Sequence, residues 1–281
     1  MWSVARPELD IEMTFTTCIS KIRNEDLRAR MVSITEQIVQ AAELYSARAE
    51  QEELHLFPQS NDVNGIVSRD EMIDTYDQRL AGNKGPGRGI YDKIKLLPEY
   101  GICPFCDHNV VSTLDHILPK TLYPVLSVTP DNLVGCCKDC NKAKLAVAPM
   151  IAADVVLHPY FDNITGIPWL TAKVIEGRVA AVAFRPATVN DCSDELNLRI
   201  INQFEMLELG RLYSHQAARI ISGHQRILSQ LYMNGGAEAV RAELARQYDS
   251  WVNYRLNCWQ AAMYHALSEN DWYCEEGHAR R

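Results

Sequence analysis

Apolar side chains recur at threes and fours from Thr17 to about Leu54. Ile19, Ile22, Leu27, Met31, Ile34, Ile38, Ala41 and Leu44 mark one stripe, with charge on the other face. That period predicts an amphipathic helix. Residues 1–12 ahead of it carry little pattern and read as a packed arm or a frayed end. Pro58, Asn61, Asn64 and Gly65 interrupt the periodicity, and Ser68 followed by Asp70 and Glu71 predicts a new helix start carrying Met72, Ile73, Tyr76 and Leu80. Gly82-Asn-Lys-Gly-Pro-Gly-Arg-Gly89 is a loop, and residues 90–97 predict a short helix.

Past residue 145 the pattern changes. Residues 172–176 and 178–184 alternate in polarity across Glu176-Gly177, which predicts a β-hairpin. From Asp194 to about Glu269 the helical period returns in three stretches, with Asn234-Gly235-Gly236 breaking the second from the third. No internal repeat or low-complexity segment is present. The expected fold class is α+β: helical flanks at 1–89 and 166–281, the second opening with the hairpin, around a small insert at 90–165.

That insert is where the chemistry concentrates. Cys103/Cys106 and Cys137/Cys140 form two C-x-x-C pairs bracketing Asp115, His116 and Asn132, with Asn141 just beyond. Two such knuckles, distant in sequence, can close one tetrahedral zinc site of four thiolates with no open position. Cys137 is preferred to its neighbour Cys136 because it leaves a two-residue spacer to Cys140. A zinc so held replaces a hydrophobic core that a segment this short lacks. Asp115 offers a hard oxygen to a divalent ion, and His116 can accept a proton near neutral pH. Residues 110–114 are β-prone, Pro119 and Pro124 keep residues 117–126 out of regular helix, and residues 132–134 can pair as a second strand. Asn132 can then hold the loop or the imidazole, while Asn141 near a helix start can supply a second oxygen to the metal.

The 281 residues are 47% apolar, enough for a proper core, and the net charge of −8 argues against a surface that coats nucleic acid. Residues 81–145 are locally basic, with eight Lys and Arg against six Asp and Glu. Lys120, Lys142, Lys144 and Arg88 are the candidate phosphate contacts. For the glycine loop that carries Arg88 two readings stand, a connector or a phosphate-contacting loop, and its spacing matches no nucleotide-binding pattern. Nine cysteines, an odd count that includes the two C-x-x-C pairs, fit metal binding in a reducing compartment. No signal peptide or bilayer-length apolar run is seen, so the expected location is cytoplasmic. His158 and Asp162 fit an active-site role and a structural cap equally well, and Cys274 with His278 has metal-like spacing without further partners.

The motifs LDHILPK, PDNLV and CKDCNKAK resemble the HNH endonuclease family with the ββα-metal fold, in its four-cysteine, zinc-stapled form. The resemblance covers about 45 residues. It implies that Asp115 and Asn141 bind a catalytic Mg²⁺ or Mn²⁺, that His116 is the general base and that Asn132 orients the site, with Zn²⁺ purely structural. It makes residues 90–165 the nuclease domain of an enzyme that hydrolyses phosphodiester bonds, in DNA ahead of RNA. The wider run through Tyr91-Asp-Lys-Ile, Tyr123-Pro and His158-Pro-Tyr-Phe-Asp is similar to HNH subunits of bacterial anti-phage defence of the Septu type, which work beside an ATPase. Nucleic acid and an ATPase subunit are therefore the expected partners. Two rival classes are an RNA (including tRNA) endonuclease built on the same site and a non-catalytic zinc-knuckle subunit that binds nucleic acid or protein.

Overall fold

A computed structural model describes residues 1–280. These divide into two compact units, residues 2–163 and residues 164–280, the latter with Met1.

The first unit opens as an arm. The Trp2 N–H donates to Pro104 O and the Val4 N–H to Pro159 O, and both side chains are buried. Helix α1 (Ile11–Ile19) starts where the Asp10 carboxylate accepts from Met13 N. The single helix expected over 17–54 is three helices. Asn24 breaks the run because its side chain accepts from Leu27 N and so caps α2 (Glu25–Ser33), and a second turn at Ile34 opens α3 (Thr35–Glu50). A minimal hairpin, β1 (Asp62–Val63) with β2 (Val67–Ser68), leads into α4 (Arg69–Asp74), which starts at Ser68 as expected, Ser68 and Glu71 forming a capping box there. A wider π turn, Thr75–Leu80, follows.

Helix α5 (Arg88–Lys95) then leads to a strand–strand–helix unit: β3 (Thr113–His116), β4 (Leu133–Cys136) and α6 (Lys138–Lys144). The two strands are antiparallel, with Asp115 opposite Val134 and His116 opposite Leu133. Residues 1–89 and the strand–strand–helix unit share one core. Phe15, Met31, Ile34, Ile38, Met72, Tyr76 and Leu80 from the former pack with Leu114 and Leu133 from the latter and with Tyr91 and Ile94 of α5. Apolar faces too small to bury themselves are buried against each other. The end of α5 crosses β4 so closely that a Cβ on Gly135 would lie 3.1 Å from Lys95 O.

In the second unit the hairpin is β5 (Leu170–Ile175) with β6 (Ala181–Pro186), Val174 facing Val182 in register. Helices α7 (Asp194–Met206), α8 (Leu209–Tyr254), α9 (Trp259–Ser268) and α10 (Asp271–Glu275) follow. The expected break falls inside α8, at Gly235 and at Gly236, whose φ of 65° suits glycine. Helix α8 packs on α9 and β6, and α9 on β5. Among the described residues no helix is long and apolar enough to cross a membrane.

Candidate metal centre and cleft

Cys103, Cys106, Cys137 and Cys140 converge. One sulfur from each lies within 4.8 Å of all the others, and all four residues are buried. Sulfurs held at about 2.3 Å from a central zinc stand roughly 3.8 Å apart; the Cys106 and Cys137 sulfurs are 4.0 Å apart. The donor set and spacing fit a Zn²⁺ ion. Both knuckles have the local geometry that favours thiolate: Asn109 N donates to the Cys106 sulfur and Cys140 N to the Cys137 sulfur, each at 3.4 Å. Asp107, with φ 49°, makes the tight turn that closes the first knuckle. Hydrogen bonds within the group, led by those to Cys103, push the Cys106 and Cys140 thiols up and pull Cys137 down. Thiols crowded this way share charge poorly until a cation takes it. Cys136, buried on β4 opposite Thr113, is outside the group.

The four-cysteine group sits where the strands meet the helix. Cys137 is the N-cap of α6, so a metal held there sets the angle at which the helix leaves β4. Asn141, one turn along α6, donates Nδ2 to Leu114 O on β3 at 3.1 Å, which leaves its Oδ1 as the ligand-competent atom. Asp115, His116 and Asn141 line one cleft of about 240 Å³, together with Pro119, Lys120, Thr121, Lys144, Leu145 and Ala146. Adjacent strand residues ordinarily face opposite ways. Here His116 is the last residue of β3, and the chain turns into the loop at Ile117, whose N–H donates to Asn132 O.

His116 Nε2 lies 2.9 Å from Ser127 O. A carbonyl can only accept, so Nε2 carries the proton and Nδ1 keeps its lone pair. The ring packs edge-on against Tyr76, 4.4 Å between centroids. Burial lowers its pKa to about 3, with Lys120 and Lys144 adding to the effect, so the imidazole is neutral at physiological pH. Asp115 shifts the other way. Burial raises its carboxyl to about 6 against the opposing influence of Lys144. Its Oδ2 is buried with no aligned hydrogen-bond donor, although Lys144 Nζ lies 3.4 Å away. A buried carboxylate oxygen lacking a donor, in a cleft that a carboxamide also lines, is a donor type that suits a hard divalent ion.

Asn132 holds the loop and does not touch the imidazole. Its Oδ1 accepts from Leu118 N at 2.8 Å, and its Nδ2 donates to Leu118 O at 3.0 Å and Leu126 O at 3.4 Å. It is fully buried and acts on the cleft by positioning residues 117–132, including the Ser127 carbonyl that orients His116.

The expected phosphate contacts fare differently. Lys142 is exposed on α6 and Lys120 lies on the cleft wall, but Lys120 is ion-paired with Asp77 and stacked over Tyr76 at 4.3 Å. Lys144 is not a surface contact: its ammonium is spent on His116 O at 2.6 Å, Ile117 O at 3.2 Å and Asp115. Arg88 is no part of the cleft. It pairs with Asp92 and bonds Asn83 and Ala81 O, tying the glycine loop to α5. That loop folds on its own chain. A Cβ at Gly82 would meet Gln78 O at 2.4 Å and one at Gly85 would meet Arg79 O at 2.3 Å, so these glycines admit the close approach of backbone.

His158 is structural. Its Nδ1 accepts from Tyr160 N, its Nε2 faces Asp131 O and the Tyr45 hydroxyl at 3.0 Å each, and Asp162 accepts from its backbone N–H. Cys274 and His278 bond separate backbone carbonyls, Leu267 O and Tyr273 O. Sequence reading missed Tyr76 and Ser127 as supports of the imidazole. Tyr76 reads as one more apolar position on a helix, and Ser127 contributes only its carbonyl.

No model of a known protein family matches the chain, and no solved structure matches it. It is similar to protein ea31 of Escherichia phage lambda, with 26% identity over 230 residues that span 74% of this chain and 75% of that protein.

Proposed function

We propose that this protein is a metal-dependent endonuclease of the HNH type that hydrolyses phosphodiester bonds of DNA. The observation that carries this reading is the single cleft shared by Asp115, Asn141 and an imidazole whose tautomer is already set. His116 Nδ1 accepts the proton of the attacking water, and the Ser127 carbonyl stabilises the Nε2–H side of the ring as charge develops. The scissile phosphate brings negative charge to the ring, which raises its basicity from the low value burial imposes. Asp115 and Asn141 hold the divalent ion. A bound Mg²⁺ or Mn²⁺ supplies charge neutralisation at the leaving 3′ oxygen. Lys142 and the cleft-wall Lys120 hold flanking phosphates. The zinc group fixes α6 against β3 and so sets the distance between Asn141 and Asp115. A place as the effector of an anti-phage system beside an ATPase subunit belongs to the same proposal, on sequence resemblance alone.

The test is incubation of the zinc-loaded protein with Mg²⁺ or Mn²⁺ against plasmid, single-stranded DNA and total RNA, beside His116→Ala. Cleavage of DNA that His116→Ala abolishes supports the reading. Cleavage of RNA alone moves the substrate, and activity retained by the variant removes the base assignment.

A further inference from the structure

Lys144 does more in this cleft than line it. Its side chain is 8% exposed, and its ammonium sits among three oxygens: His116 O, Ile117 O and the Asp115 carboxylate. Asp115 is itself buried, with Oδ2 lacking any aligned donor. A buried carboxylate is costly without a positive partner, and no other cation contacts it among the described residues. The residue comes from the last position of α6, three residues after Asn141 and directly before Leu145, where φ turns positive at 56°. The ammonium thus lies against the carboxylate that, on the reading above, ligates the divalent ion.

We propose that Lys144 is a built-in counter-ion that occupies the Asp115 charge in the metal-free protein and is displaced when a divalent ion binds. A divalent ion at Oδ2 repels the ammonium that stands 3.4 Å from the same oxygen, so each cation lowers the other's occupancy. Lys144 keeps the metal-free carboxylate from standing unpaired and sets the metal affinity below what Asp115 and Asn141 alone would give. Once displaced, its four-carbon stem lets the ammonium turn toward the cleft mouth, where a phosphate can take it. This inference rests on the assignment of Asp115 as a metal ligand and does not require that the site cut DNA.

Mn²⁺ binding by calorimetry tests it on the zinc-loaded full chain: wild type, Lys144→Met, Lys144→Gln and Asp115→Asn, with circular dichroism and zinc content confirming each fold. Lys144→Gln keeps a neutral donor for the two carbonyls, so the comparison survives if Lys144→Met does not fold. The expected result is Mn²⁺ binding about tenfold tighter or more in the lysine variants and absent in Asp115→Asn. Acylation of Lys144 by an amine-reactive reagent, read by mass spectrometry, should rise several-fold in wild type on adding Mn²⁺, as release requires. Equal or weaker Mn²⁺ binding in the lysine variants overturns the proposal, as does unchanged acylation or no binding in any form. Tighter binding with released Lys144 but no cleavage of any nucleic acid leaves the counter-ion role standing and removes the nuclease reading.

Discussion

His116 Nε2 donates to the carbonyl of Ser127 across 2.9 Å, inside a loop that Asn132 ties down at Leu118 and Leu126. A main-chain oxygen therefore chooses the tautomer, and its place depends on a side chain five residues further on. This makes the imidazole a fixed group whose free nitrogen is decided before any ligand arrives. At neutral pH, nitrogen-15 spectra should show His116 neutral with the proton on Nε2, and they should remain so down to about pH 4. Titration near 6.5 would contradict the burial that lowers its pKa to about 3.

Asn132→Ala removes both ends of the clamp and leaves the Leu118 N–H and carbonyl without partners inside the protein, while Leu126 O keeps its bond from Thr129 N. The expected cost is about 2–4 kcal/mol of stability, with cleavage lost and bound zinc unchanged. Chemical denaturation, zinc content and limited proteolysis of residues 119–131 check the three parts separately.

Asp115 predicts a pH dependence with a definite sign. Its carboxyl is raised to about 6 in the folded protein, above the unfolded value of 3.8, so the folded state holds a proton the unfolded state has released between those values. The penalty for ionised Asp115 is therefore fully present above pH 6 and fades as pH falls toward 3.8. Asp115→Asn should stabilise the divalent-free protein by about 2–3 kcal/mol at pH 8, with the gain shrinking below pH 6. Mn²⁺ affinity of the wild type should fall about tenfold per pH unit below 6, as protons compete for the ligand. Thermal melts and calorimetry across pH 5–8 measure both, and a pH-independent affinity would refute the ligand assignment.

The two adjacent cysteines should separate cleanly. Cys137→Ser, like Cys103→Ser or Cys140→Ser, should lose zinc and destabilise residues 2–163. Cys136→Ser should keep one zinc per chain, because Cys136 lies outside the sulfur group. Elemental analysis of the purified variants decides it.

Lys142→Ala should weaken nucleic-acid binding at every sequence and lower the salt slope by about one. Arg88→Ala should leave binding unchanged, because Asp92 and Asn83 already hold that guanidinium. Fluorescence anisotropy at several salt concentrations distinguishes the two.

Spacing along the chain was enough to bring out the four-cysteine set, the helix start at Ser68 and the hairpin, and motif resemblance singled out the candidates Asp115, His116 and Asn141. Those features depend on neighbours within a few residues or on paired short motifs, and local geometry constrains them strongly. What each lysine and arginine does depended on folding. Lys144 turned inward because its ammonium found three oxygens from β3 and the turn after it, while Arg88 was consumed by its own loop and helix. Tyr76 reached His116 only because residues 1–89 share a core with the strands, a contact across 40 positions that no local pattern encodes. Charge and burial are set by which segments meet, and that is decided only when the apolar faces close on one another.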